Sequence, residues 1–444
     1  MGQADKAREK ALEILRRTED GVFAGVLLEQ SRPEFNALDN AFILELVYGT
    51  LRNRALLDWV LNRLSERPVK KTDPWTRNIL RLGVYQILFL DKVPAHAAVN
   101  TSTELAKRLG GKQGYVNGLL RNVQRSRDTF AYPDTGDPGE RLSILTSHPE
   151  WLVRRWVKRF GEQRAETLLR ANNGQAPLTA RTNSLKTSRE ELTASLRATG
   201  AETRETAYSP LGIDILSSPG LPTLPAFREG LFMVQDEAAQ LISLMLTPQP
   251  GDVVLDACAA PGGKAAHLAE MMLDEGVIIA LDNDPKRIPM IRENMQRMGI
   301  SIVSPLAGTA ARYKEKTFNR ILIDAPCSGL GVLRRHPDAR WHKSENTLKR
   351  HQALQRRILE NCSRLLRPGG ALVYATCTTE PEENEDVISW FLATGGREFV
   401  IDDPRPFLPP QAARLVDENG FFRSFPGEPA MDGFFGARLV RKNA

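Results

Sequence analysis

Four cysteines stand in the 444-residue chain: Cys258, Cys327, Cys362 and Cys377. A thiolate is a strong nucleophile, so the residues around each sulfur decide which of them can do chemistry. Cys327 lies in Asp324-Ala325-Pro326-Cys327-Ser328-Gly329, directly after the apolar run RILID. Cys377 lies in Thr376-Cys377-Thr378, directly after ALVYA. Both runs read as strands, which puts the two thiols at strand ends. A lone cysteine reads first as a small buried hydrophobe, but two at one edge of a sheet read as a working pair. Cys362, inside the helical stretch ILENCSRLL, keeps the buried reading, and Cys258 offers its backbone more than its sulfur. No pair has C-x-x-C spacing and no gap suits a zinc site, so no metal is expected.

A second constellation concerns a ligand. The segment VVLDACAAPGGKAAH places an apolar strand before Cys258, Ala259, Ala260, Pro261, Gly262, Gly263 and Lys264, and a helix after them. Small residues let a backbone approach a ligand closely, and the first helical turn offers free N–H groups. A Walker loop needs Gly at 258 and Ser or Thr at 265, where Cys258 and Ala265 stand, and G-x-G-x-x-G is absent too. Asp282 closes the run VIIALD, 20 residues after Gly262, where a carboxylate accepts ribose hydroxyls. Loop and acid together predict an adenosine-type ligand.

These residues need a scaffold. From about residue 233 onward, strands such as DVVLDA, VIIALD, SIVSPL, NRILIDA and ALVYATC alternate with helices, which predicts a parallel, doubly wound sheet with ligands at the carboxyl ends of its strands. The tail FFGARLVR can add a final antiparallel edge strand. Before this, residues 145–232 read as a small α/β domain, with LTARTN, a helix from Ser188 to Thr199 and AETRETAYSP as strand, helix and strand. Residues 1–133 read as an all-α bundle. Its helices are predicted over Asp5–Arg17, Asp39–Trp59, a stretch opened by Asp73 and Pro74, Val99–Leu109 and Tyr115–Arg127. The stretch AYPDTGDPGE at 131–140 reads as a linker.

DACAAPGGK, the Asp324–Gly329 segment and Thr376-Cys377-Thr378 together resemble the RNA cytosine-5 methyltransferases of the Sun/Nop2 type. The helical region, with YVNGLLRN, is similar to the NusB antiterminator-like RNA-binding domain. The resemblance implies an all-α NusB-like N-terminal domain (1–133), a small α/β RNA-recognition domain (145–232) and an α/β Rossmann-like class I methyltransferase domain (233–444). It implies S-adenosyl-L-methionine as cofactor, held by Cys258 to Lys264 and by Asp282. The combination of modules is similar to the bacterial enzymes of that family that act on small-subunit ribosomal RNA. A cytosine of 16S rRNA, naked or in an early assembly intermediate, is therefore the expected substrate.

The chemistry explains the residue types. Carbon 5 of cytosine attacks a methyl group only after a thiolate has added to carbon 6, and that is covalent catalysis. From residues alone either cysteine qualifies, and a Pro-Cys thiol, as in DNA cytosine-5 methyltransferases, points to Cys327. The family resemblance instead implies Cys377 as nucleophile and Cys327 as the assistant in product release. Asp324 is expected to hydrogen-bond the cytosine ring edge, as carboxylate or as carboxylic acid, and to help hold the cofactor, with Lys264 paired to it or to the base. Relatives often carry a further Asp where Gly308-Thr309-Ala310 stands here, so Thr309 or backbone replaces that adenine contact. Arg334, Arg335, Arg340 and Lys343, with Trp341 among them, are expected to meet phosphates and stack on a base. Arg121, Arg125 and Arg127 offer a second basic surface. Thr379-Glu380-Pro381-Glu382 reads as a helix start, with Thr379 as N-cap and Glu382 at N3.

Composition sets outer limits. Hydrophobic residues make up 41% and charged residues 26%, and 60 Lys+Arg against 54 Asp+Glu give a net charge of +6. That balance suits a polyanionic partner without requiring one. No run approaches the ~18 apolar residues of a membrane span, and the first 20 residues, MGQADKAREKALEILRRTED, lack the apolar core of a secretory signal. Lys6 excludes a myristoylation signal. A cytoplasmic monomer is expected. Two rivals are weighed: an amino-group methyltransferase, disfavoured because Asp-Ala-Pro-Cys replaces an Asp/Asn-Pro-Pro-aromatic motif, and a non-catalytic RNA-binding factor. A tRNA or large-subunit rRNA remains the alternative substrate.

Overall fold

Asp73 shows how local chemistry starts an element here. Its carboxylate accepts the Thr76 N–H at 2.9 Å while Pro74 occupies the first helical position. In the computed structural model, which describes residues 3–109, 111–130, 133, 136–217, 220–427 and 431–443, this helix is one of a set. It comprises α1 (Gln3–Glu19), α2 (Ala24–Ser31), α3 (Ala37–Arg52), α4 (Arg54–Leu64), α5 (Pro74–Phe89), α6 (Ala95–Arg108), α7 (Gln113–Ser126), α8 (Pro138–Leu145), α9 (Glu150–Phe160) and α10 (Glu162–Ala171). The single helix expected over Asp39–Trp59 is two, broken at Asn53, whose side chain donates to the Gly49 carbonyl and closes α3. The apolar stripes of α1, α3, α5 and α7 meet in one core that buries Leu12, Leu46, Leu82 and Leu120. Part of the expected linker, 131–132 and 134–135, lies outside the described residues, and α8 begins within the rest of it.

The chain forms two compact units: residues 1–175 with 333–342, and residues 176–332 with 343–444. The first unit is thus completed by a short segment from far along the chain. Arg340 there is fully buried and donates to the carbonyls of Ser147 (3.1 Å) and Asn172 (3.1 Å) and to Asn173 Oδ1 (2.7 Å). Trp341 donates to the Leu51 carbonyl at 2.9 Å and lies under the Arg54 guanidinium. Arg334 is buried as well. The expectation that Arg340 and Trp341 face RNA is therefore corrected, because backbone carbonyls within the helical unit take up their donors.

The second unit holds two sheets. Strands β1 (Leu178–Thr182), β2 (Glu202–Glu205), β3 (Gly212–Ser217) and β4 (Phe232–Val234) form an antiparallel sheet in the order β2-β3-β1-β4, with α11 (Arg189–Ala198) and α12 (Pro225–Arg228) beside it. The larger sheet runs β10-β12-β9-β8-β5-β6-β7. Its parallel part is β5 (Val253–Asp256), β6 (Val277–Asp282), β7 (Val303–Ala307), β8 (Phe318–Asp324) and β9 (Leu366–Thr376). The helices α13 (Glu237–Leu244), α14 (Gly263–Met271), α15 (Ile288–Met298), α16 (Glu345–Leu365) and α17 (Glu385–Thr394) connect the strands. Ile278 and Ala280 lie in one core cluster, Ile279 and Leu281 in the other. Cover on both faces is why VIIALD is apolar throughout.

The tail departs from expectation. β12 (Phe435–Arg441) is antiparallel but lies between β9 and β10 (Phe399–Ile401), with β11 (Phe421–Arg423) also pairing with it. It is an interior strand, and β10 is the edge. The buried residues Phe435, Ala437 and Leu439 explain the preference, since an edge would leave them half solvated.

Candidate active site

β5 pairs with β8 on one side and β6 on the other, so chain connections diverge at its carboxyl end and open a crevice there. The loop after β5 fills the floor of that crevice. Ala257 N–H donates to Leu322 O at 2.9 Å and Ala259 N–H to Leu281 O at 2.8 Å, which sew the loop to both neighbouring strands. Gly262 caps α14 at φ +100°, a conformation that favours glycine. Asp282, at the end of β6, is buried and accepts the Ala260 N–H at 3.1 Å and the Asp284 N–H at 3.0 Å. Arg287 and Asn294 hold the carbonyls of Ala260 and Pro261, each at 2.9 Å. Thr309 lies just beyond β7 and is exposed, and the preceding Gly308 N–H donates to the Asp282 carbonyl at 2.9 Å.

The two strand-end thiols meet. Cys327 Sγ and Cys377 Sγ are 3.2 Å apart, both half-buried. The hydrogen bond with Cys377, reinforced by burial and by the charges of Cys377 and Glu383, pushes the Cys327 thiol well above its ordinary range. Burial likewise raises Cys258 well above that range and Cys362 to about 12, with Cys362 packed into the sheet core. These two thiols are inert at neutral pH.

Lys264 leaves the first turn of α14 and donates to Asp324 Oδ2 at 2.7 Å, with its ammonium 5.4 Å from the Phe434 ring centroid. Burial opposes the ammonium, but Asp324, by charge and hydrogen bond, then Asp256 and Cys377 outweigh it and raise its pKa. Asp324 Oδ1 has no hydrogen-bond partner among the described residues. Predicted residues from three separate motifs are therefore brought to one crevice.

Residues that the motifs did not single out support them. Asp256 is fully buried with neither oxygen hydrogen-bonded, and burial, with Asp324 adding, pushes its pKa up to about 7. Its place within the DACAAPGGK segment was the available signal. Glu383 accepts the Ser328 N–H at 2.9 Å and Gln355 Nε2 at 3.1 Å, and Gln355 also donates to Pro326 O, so the turn carrying Cys327 is held at two points. Asn384 brackets the other thiol, accepting from Thr376 Oγ1 at 2.5 Å and donating to Thr378 O at 3.0 Å. Thr379-Glu380-Pro381-Glu382 is not the expected helix start. α17 opens at Glu385 after a single 3₁₀ turn (Pro381–Glu383), and Thr379 Oγ1 donates to Glu380 instead. Pro381 and the demand of the cysteine turns for partners explain that displacement. Behind Cys327, a Cβ on Gly331 would collide with the Gly433 carbonyl, and its N–H donates to Cys377 O at 3.0 Å.

Asp282 and Asp324 end the strands on either side of the loop after β5, Asp256 lies buried at its start, and the helix that follows offers first-turn N–H groups with no partner among the described residues. A ligand with an adenosyl end and a positive charge fits this donor set, and S-adenosyl-L-methionine has both. Fold and site define a Rossmann-like methyltransferase with a pair of thiols beside the methyl-donor crevice. Residues 243–440 match the model of the 16S rRNA methyltransferase RsmB/F family, 5–125 that of the NusB family, and 148–220 an RsmF/B-like ferredoxin-like domain. The chain is 35% identical to a probable ribosomal RNA small subunit methyltransferase B of Bacillus subtilis, over 98% of each chain. It is 38% identical to the similarly named protein of Synechocystis, over 91% of each. The crystal structure of PH0851 superposes with a TM-score of 0.82 at 29% identity, covering 99% of this chain and 100% of that one. The chain belongs to the 16S rRNA methyltransferase RsmB/F family.

Proposed function

We propose that the protein methylates carbon 5 of a cytosine in 16S rRNA, using Cys377 as nucleophile and Cys327 as the group that helps release the product. The observation that carries the assignment is the 3.2 Å pair of thiols at the carboxyl ends of two neighbouring strands, with the Lys264–Asp324 ion pair in the same crevice. The thiol that attacks does so as a thiolate, and Cys377 is among the groups that interact electrostatically with the Lys264 ammonium. Cys377 adds to carbon 6, the ring becomes an enamine whose carbon 5 takes up the methyl group, and removal of the carbon-5 proton by a base then restores the double bond and expels the Cys377 thiolate. S-adenosyl-L-methionine, when bound by residues 258–264, Asp282 and the turn at Thr309, supplies the methyl group. Asp324 faces the pyrimidine edge with the oxygen that Lys264 leaves free. The target base reaches the thiols by leaving its stack.

The helical region, 1–133, serves as the RNA-holding module, with 145–232 as a second recognition module and 233–444 as the catalytic one. An open groove of about 670 Å³ between α6 and α7, lined by His96, Asn100, Arg121, Asn122 and Arg125, supports that reading, since arginines beside amides suit a phosphate backbone. The chain works as a monomer in the cytoplasm, where naked or assembling rRNA is present. Among the described residues no helix is long and apolar enough to cross a membrane. The test offers the protein unmethylated 16S rRNA, 23S rRNA and tRNA with a methyl-labelled donor and maps the product at single-nucleotide resolution. Label at one cytosine of 16S rRNA is expected. Label confined to tRNA, or to an exocyclic amine, overturns the reading.

A further inference from the structure

Arg181 is a charged residue with no solvent exposure in the middle strand of the small antiparallel sheet. β1 lies between β3 and β4, with Arg181 opposite Gly212 on one side and Met233 on the other. Its guanidinium leaves that sheet entirely. One amino group donates to the carbonyl of Gly263 at 2.7 Å and to Gln235, and the other reaches Glu270 at 2.6 Å. Gly263, His267 and Glu270 are spaced i, i+4 and i+7, so they form one face of α14. Glu270 is as buried as its partner, and His267 between them is buried with neither ring nitrogen hydrogen-bonded. The guanidinium therefore grips α14 at its first residue and again two turns later. A buried ion pair gains little stability over an apolar replacement, whereas a planar fork fixes direction.

We infer that Arg181 is a positioning residue that fixes the cofactor loop from within the small domain, setting the backbone of Gly263 and thereby the aim of the first-turn N–H groups and of Lys264. The inference rests on the reading of residues 258–264 and Asp282 as the cofactor site. It makes the small domain a brace for methyl-donor binding as well as a contact for RNA. Cofactor binding then depends on a residue outside the methyltransferase sheet.

The test uses the full-length protein with Arg181→Met/Glu270→Met, which removes both charges together so that none is left buried alone, alongside Arg181→Lys and Asp282→Asn. Melting temperature, KM for S-adenosyl-L-methionine, KM for RNA and kcat at saturating cofactor are measured. The double variant is expected to melt near the parent temperature. Its cofactor KM rises on the order of tenfold, the scale on which supporting hydrogen bonds act through a ligand-binding group, with kcat and RNA KM little changed. Arg181→Lys, which cannot span Gly263, Gln235 and Glu270 at once, shifts cofactor KM in the same direction. An unchanged cofactor KM in the double variant overturns the inference, as does loss of folding in the double and the Lys variant alike, which makes Arg181 a residue of the fold only. If Asp282→Asn also leaves cofactor KM unmoved, the cofactor-site reading itself fails. If Asp282→Asn alone moves it, only the role of Arg181 fails.

Discussion

Replacing Lys264 with methionine keeps most of the side chain's bulk and deletes one charge from the crevice. In the parent, Nζ lies 2.7 Å from Asp324 Oδ2, with the two side chains 12% and 30% exposed. At a protein-surface effective dielectric, unit charges in contact attract by about 4 kcal/mol. Desolvation and the partial exposure of Asp324 roughly halve this, leaving about 2 kcal/mol of net interaction. The same ammonium interacts with Asp256 and Cys377, so its loss acts on the proposed nucleophile and on the carboxylate proposed to face the base. Single-turnover methyl transfer is therefore expected to slow roughly thirtyfold. The pH dependence of the transfer is expected to change as well, because one charge has left the crevice. The assay is rapid-quench transfer of a labelled methyl group from saturating donor, between about pH 6 and about pH 9. A variant within about threefold of the parent, with a superimposable profile, refutes the electrostatic role of Lys264.

The remaining predictions concern other groups. Asp256, raised to about 7 by burial and Asp324, favours the protonated folded state, so stability present below about pH 4 is lost as pH rises through 7, by an amount on the order of 4 kcal/mol. Asp256→Asn should then melt higher than the parent at about pH 8 and with a flatter pH dependence by calorimetry; parallel melting curves across that range contradict this. Arg340→Met should reduce the stability of the helical unit by about 2–3 kcal/mol, read as an earlier melt by calorimetry, because the carbonyls of Ser147 and Asn172 lose a charged donor. Cofactor affinity by calorimetry should be unchanged in that variant. Iodoacetamide near pH 8, followed by peptide mass mapping, should modify Cys377 while leaving Cys258 and Cys362 free, since burial holds both protonated. Early labelling of Cys362 would contradict its assignment to the core.

What could be read in the sequence was local. Asp73-Pro74 announced a cap that the structure builds, and small residues after an apolar strand announced a loop at the sheet's carboxyl edge. The strand-end positions of Cys327 and Cys377 were legible too, and a parallel sheet then had to bring them to one edge. What escaped was set by distant partners. Nothing around Arg340 or Trp341 marks them as buried, because their acceptors lie at Ser147, Asn172 and Leu51. The alternation in FFGARLVR fixes a strand but not its neighbours, so an interior strand read as an edge. Thr379 and Glu382 satisfy a capping pattern, yet the thiol turns claim Glu383 and Asn384 first. Arg181 reads as an ordinary strand arginine until α14 is packed beside it.

The central claim is a division of labour between two thiols 3.2 Å apart. Denaturing gel analysis of full-length Cys327→Ala and Cys377→Ala proteins, each incubated with unmethylated 16S rRNA and S-adenosyl-L-methionine, tests it most directly. A covalent protein–RNA band is expected with Cys327→Ala, whose product cannot leave, and neither band nor methylation with Cys377→Ala. A trapped band with Cys377→Ala, or turnover by that variant, contradicts it.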